Sequence, residues 1–113
     1  MRVLMTQREL VGFQGSEMVT VEIAKELAER GHDVVVFSPR LGDVARLLWP
    51  SGAKAVPRLD QVPWTPDLIH GHHHLPAMAA MARFEGVPAV YYCHGTMPWV
   101  EQPPMHEGIR SYV

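Results

Sequence analysis

The chain has 113 residues, with 10 Lys+Arg against 12 Asp+Glu and a formal charge of −2. Hydrophobic residues make up 47% and charged residues 19%, which excludes a disordered chain and predicts one folded domain over residues 1–113. The absence of any Lys/Arg-rich run argues against nucleic acid as a partner, and a single cysteine, Cys93, excludes an internal disulfide framework.

Met1–Met5 turns polar at Thr6-Gln7-Arg8-Glu9, too early for a signal-peptide core. The uncharged stretches Leu68–Ala82 and Gly86–Val100 contain His, Gly and Pro and fall short of the roughly 20 apolar residues of a membrane span. A cytoplasmic location is the expectation.

Val3-Leu4-Met5 reads as a first buried strand, followed by a loop containing Gly12 and Gly15. Val19, Ile23 and Leu27 then recur every fourth residue, with Ala24 and Ala28 widening the apolar stripe of a helix. Ser16 is its expected N-cap and Gly31 its expected C′ residue. The helix glutamates are expected on a solvated face. Val34-Val35-Val36-Phe37 suits a strand buried on both faces, and the βαβ unit so formed predicts parallel neighbours. Gly42–Trp49 reads as a short helix turning Val44, Leu47 and Leu48 inward, and Ala53–Val56 as a weak third strand. Trp49, Trp64 and Trp99 are expected to pack or to anchor loops.

Leu68-Ile69-His70 reads as a fourth strand and His74-Leu75-Pro76 as the start of a second helix, with Pro near N1. Met78 and Met81 of that helix are expected in the core. Ala89–Cys93 reads as a fifth buried strand, which makes Cys93 an inert thiol. From Gly95 the chain looks irregular, and Ile109–Val113 begins an element that stops short. Alternation of this kind predicts an α/β, Rossmann-like, doubly wound parallel sheet with strand order 3-2-1-4-5. Its switch point falls between the strands at Val3 and Leu68.

Ligands of such sheets bind beyond the carboxyl ends of the strands at the switch point. Three polar segments fall there: Gly12–Ser16, His70–His74, and His94-Gly95-Thr96. The first is neither G-x-G-x-x-G nor a Walker A loop. It reads either as a contact for a diphosphate or sugar, or as a turn glycine with a capping serine. Four histidines in five residues invite a metal. The adjacent His72, His73 and His74 point in different directions, however, and no cysteine or His-Glu-x-x-His accompanies them, so no metal site is expected. One or two of these histidines are expected to line a pocket, and His94 stands at the rim of a strand end.

The order and spacing of Gly15-Ser16-Glu17, Gly31-His32-Asp33-Val34-Val35-Val36, Pro66–His72 and Val87–Thr96 resemble the N-terminal domain of family 4 glycosyltransferases of the GT-B fold. The resemblance covers nearly the whole chain. It implies a retaining transfer from a nucleotide-sugar donor to an acceptor of unknown identity, in a cleft shared with a C-terminal donor-binding domain. By that resemblance Gly15 faces the donor and His94 the transferred sugar, while Ser16, His70, His72, Gly95 and Thr96 are expected to line the same site from their place at the strand ends. No cofactor is implied.

The family's loop often has paired glycines where this chain has Gln14-Gly15. The C-terminal domain is missing, so the chain resembles a truncated half that does not transfer sugar alone. A missing edge strand further predicts self-association through an open sheet edge. The competing expectation is a stand-alone, non-catalytic α/β module that binds a ligand or a partner chain.

Overall fold

The computed structural model describes residues 1–13, 15–93 and 108–112. Its strands are β1 (Arg2–Thr6), β2 (Asp33–Phe37), β3 (Lys54–Val56), β4 (Leu68–His72), β5 (Ala89–Tyr92) and β6 (Ile109–Tyr112). Its α-helices are α1 (Gly15–Glu29) and α2 (His74–Arg83), and a 3-10 helix spans Asp43–Ser51. The strands form one parallel sheet in the order β3-β2-β1-β4-β5-β6. The predicted order 3-2-1-4-5 holds. The switch point lies where expected, with β1 between β2 and β4.

β6 is the addition. The segment at Ile109 is a strand paired along β5, and Ile109 is buried there. The edge of β5 is therefore covered, and the sheet ends at β3 on one side and β6 on the other.

Strand alternation builds two cores. Val3 and Met5 of β1 and Val34 and Val36 of β2 pack with Val21 and Ala24 of α1 and with Val44, Ala45 and Leu48 of the 3-10 helix. Leu4, Val35, Phe37, Ile69, Ala89, Tyr91 and Ile109 face the other way and pack with Ala77, Ala80 and Met81 of α2. Full burial of a Val, Leu, Ile, Phe or Met side chain is worth about 1.5–3 kcal/mol, so both layers contribute to one fold. Gly71 lets α2 approach β4. A Cβ there would lie 3.1 Å from the Ala77 Cβ and 3.4 Å from the Tyr91 ring.

α1 ends as its sequence predicts. Gly31 has φ +97°, its N–H donates to the Ala28 carbonyl, and the His32 N–H donates to the Leu27 carbonyl. These two bonds are a Schellman cap. The helix face is rotated from expectation. Its deepest residues are Glu17, Thr20, Val21 and Ala24, while Ile23, Leu27 and Ala28 are only partly buried. Glu17 is therefore a correction to the solvated-glutamate reading. Ser16 is corrected too: the helix begins at Gly15, so Ser16 lies inside the first turn instead of capping it.

The 3-10 helix leaves Leu47 and Trp49 exposed and buries Ala45 in Leu47's place, because three residues per turn set Ala45 and Leu48 on one line. Trp64 is partly buried on the α2-side core, as are Met78 and Cys93. β4 extends two residues beyond the predicted run, through Gly71 and His72. Cys93 follows β5 and lies outside it. Trp99 and the irregular segment from Gly95 lie outside the described residues. No helix among the described residues is long and apolar enough to cross a membrane.

Candidate functional site

β1 and β4 end side by side, with Met5 paired to His70. One residue further, the Thr6 hydroxyl clamps the neighbouring strand. Its Oγ1 accepts from the His72 N–H at 2.8 Å and donates to the His72 carbonyl at 2.9 Å. Thr6 and His72 are both fully buried, so both backbone groups of His72 are satisfied without water.

The loop leaving β1 is held at two places. The Leu10 N–H donates to the Arg40 carbonyl at 2.8 Å, and the Gly42 N–H donates to the Leu10 carbonyl at 2.7 Å. The approach at Gly42 is close: a Cβ there would lie 2.9 Å from the Val11 Cα. The second hold is Glu17. Its Oε2 accepts from the Val11 and Gly12 N–H groups, both at 2.8 Å. A carboxylate accepting backbone N–H groups makes stronger bonds than a neutral acceptor, and the first turn of a helix favours its charge. The glycine-containing loop is thus pinned from below by a buried acid. Gly15 opens α1 exposed to solvent, and a Cβ added there would meet nothing within 4 Å among the described residues. Packing against the described residues does not demand this glycine.

One turn into α1, a polar chain crosses to β4. Thr20 Oγ1 donates to Gln7 Oε1 at 2.5 Å and lies 3.2 Å from His72 Nδ1. His72 Nε2 lies 2.9 Å from His70 Nδ1. Gln7, Thr20 and His72 are all buried, and His70 is half-buried. The rings stack. Centroids of His70 and His72 are 4.8 Å apart, and those of His72 and Tyr92 are 5.2 Å apart with planes tilted by 13°. Tyr92 is the register partner of His72 on β5.

His73 joins β4 to α2. It is buried, has φ +65° and ψ +144°, and its Nδ1 accepts from the Arg8 N–H at 3.1 Å. That backbone region is nearly restricted to glycine. Pro76 is the third residue of α2, where its missing N–H costs nothing. At the rim, Glu9 pairs with Arg8 at 3.8 Å and with Arg40 at 3.5 Å, exposed contacts of small energetic weight. Among the described residues no group of three or more His, Cys, Asp or Glu is placed to hold a metal ion. A groove of about 470 Å³ lined by Met81, Phe84, Gly86, Val87 and Gly108 lies at the opposite, amino end of the sheet.

Of the predicted site residues, His70 and His72 are joined directly, and Thr20 ties them to the helix that Gly15 and Ser16 open. His94, Gly95 and Thr96 lie outside the described residues. Sequence reasoning missed Gln7, Glu17 and Thr20. Their signal was available for two of them: Glu17 and Thr20 share a helix face with Val21 and Ala24, so polar residues interrupt a buried stripe.

The family model described as Glycosyltransferase Family 4 matches residues 13–112, which include α1, the histidine strand β4 and β6. No curated protein and no solved structure matches the chain. With the match spanning nearly every element of the sheet, the chain belongs to glycosyltransferase family 4.

Proposed function

We propose that this domain is the acceptor-side half of a two-domain GT-B enzyme working in the cytoplasm. The enzyme moves a sugar, with retention of configuration, from a nucleotide-sugar donor to an acceptor. The observation that carries the reading is the meeting of β1, α1 and β4 at the switch point. There a pinned loop and the start of α1 stand beside a histidine pair. Family membership supplies the reaction class.

In this reading Gly15 and Ser16 face the donor diphosphate, whose charge the start of α1 favours. His94 faces the transferred sugar, with Gly95 and Thr96 beside it, and His70 contributes to the wall that receives sugar hydroxyls, with buried His72 supporting it from behind. Most donor contacts belong to a C-terminal domain. These 113 residues alone should therefore not turn over.

The test is a transfer assay on the two-domain enzyme and on the isolated chain. His94→Ala in the complete enzyme is expected to lower turnover by about a hundredfold or more, the scale for losing one group that stabilises a transition state. Unchanged turnover removes His94 from the site. Robust transfer by the isolated chain overturns the two-domain requirement.

A further inference from the structure

We infer that Gln7 and Thr20 are positioning residues that fix the proton on each of two histidines, holding His72 and His70 as neutral Nδ1–H tautomers. The inference about tautomers stands on geometry alone; its use in sugar transfer rests on the function proposed above.

A threonine hydroxyl has one proton to donate. Thr20 gives it to Gln7 Oε1. At 3.2 Å from His72 Nδ1, the Thr20 oxygen can then only accept, so His72 carries its proton at Nδ1. His72 is fully buried, and burial disfavours the charged imidazolium. A neutral ring protonated at Nδ1 has a lone pair at Nε2. The nitrogen 2.9 Å away, His70 Nδ1, must therefore be the donor. Protons run in one direction along the chain, from His70 to His72 to Thr20 to Gln7. His70 in turn has its lone pair at Nε2.

This state has a chemical consequence. A histidine with an Nε2 lone pair accepts from a hydroxyl and repels a phosphate oxygen, which has no proton to give at neutral pH. The relay thus makes His70 Nε2 an acceptor, a match for a hydroxyl and not for a phosphate oxygen. Turning the Gln7 amide end for end would reverse every bond in the chain and give both rings the Nε2–H form. The choice of acceptor at residue 7 is therefore read out at residue 70.

Histidine-selective ¹⁵N labelling of the full-length protein tests this. Proton-coupled spectra should show a one-bond N–H coupling at Nδ1, and none at Nε2, for both His70 and His72. Q7E and T20S should keep that pattern, since each preserves the acceptor or hydroxyl in question. T20V should move His72 to the Nε2–H form. If T20V fails to fold, the unmodified protein, Q7E and T20S decide the matter alone. Nε2–H on both rings, or an imidazolium at His72 at neutral pH, overturns the relay.

In the two-domain enzyme, T20V should raise the acceptor KM about tenfold and leave the donor KM in place, with partial rescue by T20S. Equal shifts in both constants overturn the hydroxyl assignment. Nδ1–H tautomers in an enzyme that transfers no sugar leave the relay standing and sink the proposed function. Active enzyme with Nε2–H tautomers does the reverse.

Discussion

The two strand-to-helix junctions at the switch point solve one problem by opposite means. β1 reaches α1 through a long loop, which Glu17 holds by its backbone N–H groups and Leu10 by a bridge to the next loop. β4 reaches α2 through His73 alone, in a backbone conformation that suits glycine. The first junction is shaped by side-chain chemistry and the second by backbone strain held in a packed setting. Their helices differ to match. α1 buries Glu17 and Thr20, whereas the buried residues of α2 are Pro76, Ala77, Ala80 and Met81.

The strongest way to break this contrast is at Glu17. Glu17→Ala removes an acceptor shared by two N–H groups and is expected to cost about 3 kcal/mol, since hydrogen bonds to charged groups contribute roughly 1.5–3 kcal/mol each. Urea denaturation measures it. A loss below ~1 kcal/mol would mean that the loop holds its shape without the acid.

His73 gives a smaller and more discriminating effect. His73→Ala keeps the strained backbone and loses the bond from Arg8, so it should destabilise by about 1–2 kcal/mol. His73→Gly loses the same bond but relieves the strain, and should be the more stable of the two by about 1 kcal/mol. Elsewhere in a helix or strand glycine is the worse residue. If alanine proves better here, the junction is not strained.

The smallest effect sharpens the contrast from outside it. After β3, an exposed turn is closed by Arg58, whose Nε and Nη2 donate to the two oxygens of Asp60 at 3.0 and 2.9 Å. The hydrogen bond from Arg58 holds the Asp60 carboxyl below its ordinary value of 3.8. A depressed carboxyl stabilises the fold above that ordinary value, and the contribution is lost as pH falls through the folded value. Stability curves of the parent and Arg58→Ala should therefore differ slightly at neutral pH and converge in strong acid. A difference that grows in acid would reverse the assignment.

Apolar runs made most of this fold legible. Val3–Met5, Val34–Phe37 and Ala89–Tyr92 are buried strands whatever surrounds them, and Gly31 marks its helix end without help. Polar residues in buried places were not legible. Glu17 and Thr20 look like surface residues until a loop and a histidine are packed against them. His70 looks like the end of a strand until the Thr6 clamp carries β4 on to His72. Ile109–Val113 reads from sequence as the start of an element, and its pairing along β5 is what makes it β6. The histidine cluster could be located from sequence, but not its proton order, which depends on a glutamine 63 positions upstream of His70.

The alternation along β1 also sets what lengths of chain the fold can absorb. Val3 and Met5 serve one core and Leu4 the other. One residue inserted within this strand would exchange those assignments and turn Thr6 away from His72. One residue inserted after Gly12 would leave the bonds from the Val11 and Gly12 N–H groups to Glu17 in place. Natural variation in length is therefore expected to accumulate in the loop after Gly12, where it changes what the domain meets without changing how it folds.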